Sequence, residues 1–134
     1  MRRYLLLALA VLPMMAYAQK QKKKKNEPSA LPPPRVWVGN VRTYNTTREV
    51  ILSNPKLITD SVGCRVSGFT ISLHAPGHPF YGPLWAVGED FTQVQKDVIQ
   101  QWDYPDVTFY VQDIHLNCHE KDATATPFQL HFDH

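Results

Sequence analysis

The sequence lacks the short motifs by which many enzymes declare their chemistry. It contains no G-x-S-x-G, no H-E-x-x-H and no glycine-rich phosphate loop. No serine or free cysteine stands close to Asp113 and His115, the one pair able to orient a base. These absences argue against a small hydrolase and against a nucleotide-dependent enzyme. No catalytic residue and no cofactor are implied. There is no internal repeat, and past the first eighteen residues there is no long apolar run. Cysteine is scarce, with only Cys64 and Cys118.

What is present begins with Arg2-Arg3, an apolar run from Tyr4 to Met15, and Ala16-Tyr17-Ala18. A positive start, a short apolar stretch and an A-x-A site are the parts of a secretory signal peptide. The run is short for a bilayer span and contains Pro13. Residues 1–18 are therefore expected to be a cleaved signal, the alternative being an uncleaved interfacial anchor. No cysteine stands at the cleavage point, so a lipid anchor is not indicated. The mature chain is expected to be periplasmic or secreted. It would hold about 115 residues, the size of one small domain.

The net charge of +2 conceals two opposite parts. Lys20 and Lys22 to Lys25 cluster just after the signal, and Leu31-Pro32-Pro33-Pro34 follow. Residues 19–34 read as a Lys- and Pro-rich disordered linker. Between residues 35 and 134, seven Lys/Arg face eleven Asp/Glu, a net of −4. A folded part of that sign does not suit nucleic acid. The Lys run is either a solvated spacer or a weak contact to an anionic membrane surface.

A folded domain is expected over residues 35–134. Val36-Trp37-Val38 reads as a strand closed by Gly39-Asn40, and Glu49 to Ser53 as a weaker strand ended by Asn54-Pro55. In Cys64 to His74, Phe69, Ile71 and Leu73 alternate with polar residues. A bulge at Ser67-Gly68 would bring Val66 onto the same face. Leu84 to Val87 can form a short strand. Thr92 and Gln95 form a capping box for a helix whose apolar stripe is Phe91, Val94, Val98, Ile99 and Trp102. Glu89-Asp90 ahead of it would favour its positive end. Val107 to Leu116 is a second strong strand whose parity switches near Gln112-Asp113. Residues 118–122 read as a polar turn, and Phe128, Leu130 and Phe132 as a final strand. The pattern is mainly β with one inserted α-helix.

Cys64 begins one strong strand and Cys118 ends the other. In an exported chain, antiparallel neighbours of this kind would bring the two into a disulfide. Two separate buried thiols is the alternative. His115-x-x-Cys118-His119, with His131 and His134, has the most ligand-like spacing and would suit zinc or copper, although it matches no established zinc pattern. A metal-binding envelope protein is thus the second functional reading.

Several segments occur here in a familiar order. They are Val36-Trp37-Val38-Gly39-Asn40, then Cys64 to Ser72 (CRVSGFTIS), then Asp90 to Ile99 (DFTQVQKDVI), then Val107 to Ile114 (VTFYVQDI), and finally Phe128 to Phe132 (FQLHF). This arrangement resembles the C-terminal domain of the GldM/PorM proteins of gliding motility and type IX secretion. The resemblance implies an immunoglobulin-like β-sandwich in the periplasm that contacts partners of the secretion machine. The chain departs from the family in having no transmembrane helix and no shaft domains, and in its cysteine pair and His-rich tail. The expectation is a standalone exported domain that binds a cell-envelope protein. The loop from His74 to Trp85 is the expected contact surface. It sets His78, Phe80, Tyr81 and Trp85 among prolines and glycines, and aromatic side chains on a stiff loop favour interfaces. The competing reading is that Phe80 and Trp85 cap the core.

Overall fold

The computed structural model describes residues 34–133. The signal, almost all of the linker, and His134 lie outside the described residues. The elements are β1 (Val36–Val38), β2 (Asn45–Thr46), α1 (Arg48–Ser53), β3 (Leu57–Thr59), β4 (Cys64–His74), β5 (Tyr81–Val87), α2 (Gln93–Gln101), β6 (Thr108–Cys118), β7 (Lys121–Thr124) and β8 (Phe128–Phe132). The fold is the expected mainly β sandwich. A six-stranded sheet has the order β2-β8-β6-β4-β5, with β7 beside β6, and a two-stranded sheet pairs β1 with β3. Among the described residues no helix is long and apolar enough to cross a membrane.

Alternation decides the inner face of the large sheet. Phe69, Ile71 and Leu73 of β4, Phe109 and Val111 of β6, and Leu130 and Phe132 of β8 are buried there. Val38 and Leu57 from the small sheet, Ile51 from α1, and Val98 and Ile99 from α2 close over them in one cluster. Four phenylalanine rings run through this core. Phe69 lies 5.3 Å from Phe91, Phe91 lies 6.1 Å from Phe109, and Phe109 lies 5.5 Å from Phe132. Each such ring removed from water is worth about 1.5–3 kcal/mol.

The two sheets are joined by backbone. The Leu57 N–H donates to the Glu89 carbonyl at 2.9 Å, and the Phe91 N–H donates to the Pro55 carbonyl at 2.9 Å. Glu89 and Asp90 thus lead from β5 toward β3, with Asp90 bridged to Lys56. As expected, they stand ahead of the Thr92 cap; the first turn of α2 itself holds no acidic residue.

Both expected irregularities of the central strand pair occur. Val66 stands opposite Leu116, Gly68 opposite His115, and Thr70 opposite Gln112. The first step holds an extra residue on β4, Ser67; the second holds one on β6, Asp113, whose φ is 49°. Val66, Ile114 and Leu116 are all buried as a result.

The strands β2, β3 and β7 were not expected. Strand β5 begins at Tyr81 instead of Leu84 and so takes Tyr81 out of the expected loop. Three further elements differ from the sequence reading. Residues 48–53 form a helix rather than a strand, so the described residues hold two helices where one was expected. Thr47 caps α1 by accepting the Val50 N–H, a signal that the β-branched run Val50-Ile51 conceals. The 118–122 turn is tighter than expected. His119 and Glu120, with φ of 50° and 66°, form a two-residue hairpin turn, and Lys121 already pairs with Cys118. In α2 the buried stripe runs through Gln95, Val98 and Ile99 toward the half-buried Trp102, while Val94 is 61% exposed. The capping box sets this rotation. Gln95 Oε1 accepts the Thr92 N–H at 3.0 Å while its Nε2 donates to the Leu84 carbonyl of β5 at 2.8 Å. Gln95 must therefore face the sheet, and Val94 turns outward.

Candidate functional site: an aromatic surface

The outward face of the large sheet is set by the register of β4, β5, β6 and β8. One row across it is Gln129, Tyr110 and Ser72. The next is Gln112, Thr70 and Trp85. A third holds Thr124, His115, Gly68 and Val87. The solvent face of an antiparallel sheet ordinarily carries charge. These rows carry no Lys, Arg, Asp or Glu. Asp113, at the bulge between them, accepts the Thr70 hydroxyl at 3.3 Å.

Trp85 owes its pose to Gly68. A Cβ on Gly68 would come within 3.0 Å of Trp85 Cζ2 and 3.2 Å of the Ala86 carbonyl. The indole therefore lies down against the strand where a side chain is missing, an arrangement that restores packing to a glycine in a sheet. His115 meets it edge-on at 5.7 Å, and Trp85 remains 51% exposed.

The loop between β4 and β5 sends its aromatic residues in two directions. The His78 N–H donates to the Ala75 carbonyl at 3.0 Å, closing a turn through Pro76 and Gly77. Phe80 folds onto the outward face, stacking on His74 at 4.6 Å and meeting Tyr110 at 5.5 Å. His78 points the other way and stacks on Tyr104 at 3.9 Å. Tyr104 meets Trp102 edge-on at 5.3 Å, and Trp102 meets Tyr81 at 5.9 Å. Phe80 is 62% exposed, Tyr81 43% and Tyr104 37%. Neither Phe80 nor Trp85 belongs to the core, whose rings are Phe69, Phe91, Phe109 and Phe132. Trp102, Tyr104 and Tyr110 complete this surface; Tyr104 and Tyr110 were not singled out from sequence, and Trp102 was read there only as part of the helix stripe. They arrive from the end of α2 and from β6, and only the fold brings them to the loop.

Cys64 and Cys118 stand directly opposite in register and form a disulfide, with Cα atoms 4.0 Å apart. This removes Cys118 as a thiolate ligand. His115 points to Trp85, whereas the His119 ring packs on Gly63, where a Cβ would meet it. His131 lies elsewhere, 3.3 Å from Asp133 and 3.5 Å from Asp106 and stacked on Tyr44. Among the described residues, no three of His, Cys, Asp or Glu come together as a metal site.

The chain matches no protein-family model and no curated protein.

Proposed function

We propose that this chain is a non-enzymatic, exported protein-binding module, an accessory of type IX secretion or gliding machinery that contacts a cell-envelope protein. The observation that carries the binding role is the pair of exposed aromatic groups that flank the β4–β5 loop, Phe80 beside His74 and Tyr110 on the outward face, and Tyr81 and Tyr104 with His78 and Trp102 on the other side. Aromatic side chains gathered and left in solvent are the residues that anchor interfaces. The Cys64–Cys118 disulfide and the signal-like opening support an extracytoplasmic site. The machinery is named on the resemblance of the strand and helix segments to the GldM/PorM C-terminal domain.

The test is co-purification of the tagged chain from its native envelope. The wild type should retain components of the secretion or gliding machine. Phe80→Ala and Tyr81→Ala should each weaken that capture about tenfold with the melting temperature preserved. Deletion of Lys20 to Lys25 should leave it intact. Normal capture by the loop variants, with loss on deleting the arm, would make the protein an electrostatic binder that works through its tail.

A further inference from the structure

We infer that the cavity between the β1–β2 loop and the end of β8 binds the zwitterionic head of an α-amino acid, a carboxylate and an ammonium carried on one carbon. This does not rest on the protein-binding reading, because none of its residues belongs to the aromatic surface.

The first ground is an arginine held in place with its donors unused. The Val41 N–H donates to the Val38 carbonyl at 2.8 Å, closing a turn through Gly39, whose φ is 47°, and Asn40. Buried Val41 fixes the loop to the core, and Arg42 folds back over Trp37, 3.7 Å from the ring centre. That contact occupies the face of the guanidinium and leaves its N–H edges open. Among the described residues Arg42 has no carboxylate partner. Its planar fork matches a carboxylate through two parallel hydrogen bonds, and the stacking has already fixed the side chain.

The second ground is that two opposite charges line one cavity and do not pair. Arg42 and Asp133 both border a space of about 460 Å³, a volume typical of small-molecule sites. Each is tied elsewhere. The Asp133 N–H donates to the Thr46 carbonyl at 2.7 Å, and its Oδ1 faces His131 Nδ1 at 3.3 Å. Oδ2 remains for a donor. A fixed cation and a fixed anion that do not reach each other suit a ligand that carries both signs.

The third ground is the rest of the lining. Asn40 and Asn45 add neutral amides that both donate and accept. Val50, 46% exposed, gives apolar surface to a ligand side chain. A dianion such as phosphate would meet Asp133, and an organic cation would meet Arg42. The end of a protein chain brings only one of the two charges. Free amino acids carry both, and so does the diaminopimelate of a peptidoglycan stem peptide.

The experiment is isothermal titration calorimetry of the exported chain with alanine, diaminopimelate and a muropeptide that contains diaminopimelate. Inorganic phosphate and the N-acetylated and amidated forms of whichever compound binds are the controls. At least one zwitterion should bind, and masking either of its charges should weaken it about tenfold. Arg42→Gln should weaken binding by a similar factor. Because Arg42→Gln also uncovers Trp37, Asp133→Asn serves as the second variant; it should weaken binding several-fold with an unchanged melting temperature. Arg65→Gln, at a separate cavity, should change nothing. Binding of free diaminopimelate as tight as that of the muropeptide assigns a solute, and binding of the muropeptide alone assigns the wall peptide. The inference fails if no zwitterion binds, if phosphate or the masked forms bind as tightly, or if both variants bind as the wild type does. Phe80→Ala should leave zwitterion binding intact, so loss of partner capture and failure here are read separately.

Discussion

The bulge at Ser67 is cancelled by the bulge at Asp113. Each inserts one residue into its own strand between Val66 and Thr70, and together they return β4 and β6 to the register they had at Thr70 and Gln112. Cys64 and Cys118 face each other only because the two insertions are equal and opposite. Both bulge residues are exposed, so neither is held for its own packing. A one-residue slip turns every following side chain to the other face.

Deleting Ser67 alone should therefore prevent the disulfide. The segment toward Cys64 would pair one residue out of step and carry Val66 from the core to solvent. Deleting Ser67 and Asp113 together should restore both the register and the bond. Intact-mass analysis after alkylation reads the outcome directly. Two free thiols are expected in the single deletion and none in the double. An oxidised single deletion would show that the bulges do not control register.

Reduction should be costly. The bond joins residues 54 apart, which the chain-entropy model values at about 4 kcal/mol. For a domain of this size 1 kcal/mol corresponds to roughly 4–8 °C. Melting followed by circular dichroism, with and without reductant, should differ by about 15–30 °C. A difference below about 5 °C would mean that the reduced, unfolded chain gains far less freedom than the chain-entropy model assumes.

Helix α2 separates a buried charge from an exposed one. Val98 is 8% exposed, whereas Gln101 faces solvent. Val98→Asp should destabilise by several kcal/mol through an unpaired buried charge, and Gln101→Asp by less than about 0.5 kcal/mol. Gln95→Leu should fall between them at about 1–3 kcal/mol. It keeps the volume but leaves the Thr92 N–H and the Leu84 carbonyl without their partners. Urea denaturation of the three variants gives the ranking.

Gly68→Val should lift the indole of Trp85 off the sheet. The new Cβ has 3.0 Å to Cζ2 and only 3.2 Å to the Ala86 carbonyl, which cannot swing away as a side chain can. A red shift in tryptophan emission and a loss of stability of about 1–3 kcal/mol are expected. Unchanged emission would show that the ring does not rest there.

The long strands were legible in the sequence because one of their faces is buried. Phe69, Ile71 and Leu73, like Phe128, Leu130 and Phe132, keep a strict period of two. Even the bulges were visible, as places where Val66 and Ile114 fall on the wrong parity. Short elements were not. Leu57–Thr59 offers three residues, too few to show a period, and α1 presents Val50-Ile51-Leu52, a run that suits a strand. Its helical state rests on the Thr47 cap and on Ile51 reaching the core. Val94 was misplaced because the box that starts α2 does more than cap it: Gln95 is tied to β5, which rotates the helix.

The aromatic surface was half legible. A loop dense in Pro, Gly and rings announces itself, and Phe80, Tyr81, Trp85 and His78 all lie where solvent can reach them. Their companions could not be found by scanning along the chain. Tyr104 stacks on His78 from 26 residues away, and Tyr110 meets Phe80 from 30. The His115/Cys118/His119 spacing shows the converse. Residues close in sequence were dispersed, because a strand end and a tight turn point them apart.

The position of the disulfide bears on survival under proteolysis. The covalent ring it closes encloses β4, β5, α2 and β6, and so most of the hydrophobic centre. It also encloses the segment from Pro76 to Phe80, which is exposed throughout and is the place a protease would enter. A cut there would leave two polypeptides that remain bound by one bond and by the whole β4–β6 interface. The protein could be nicked in its most accessible loop and keep its shape, so that damage would first be seen as two bands on a reducing gel rather than as loss of the fold.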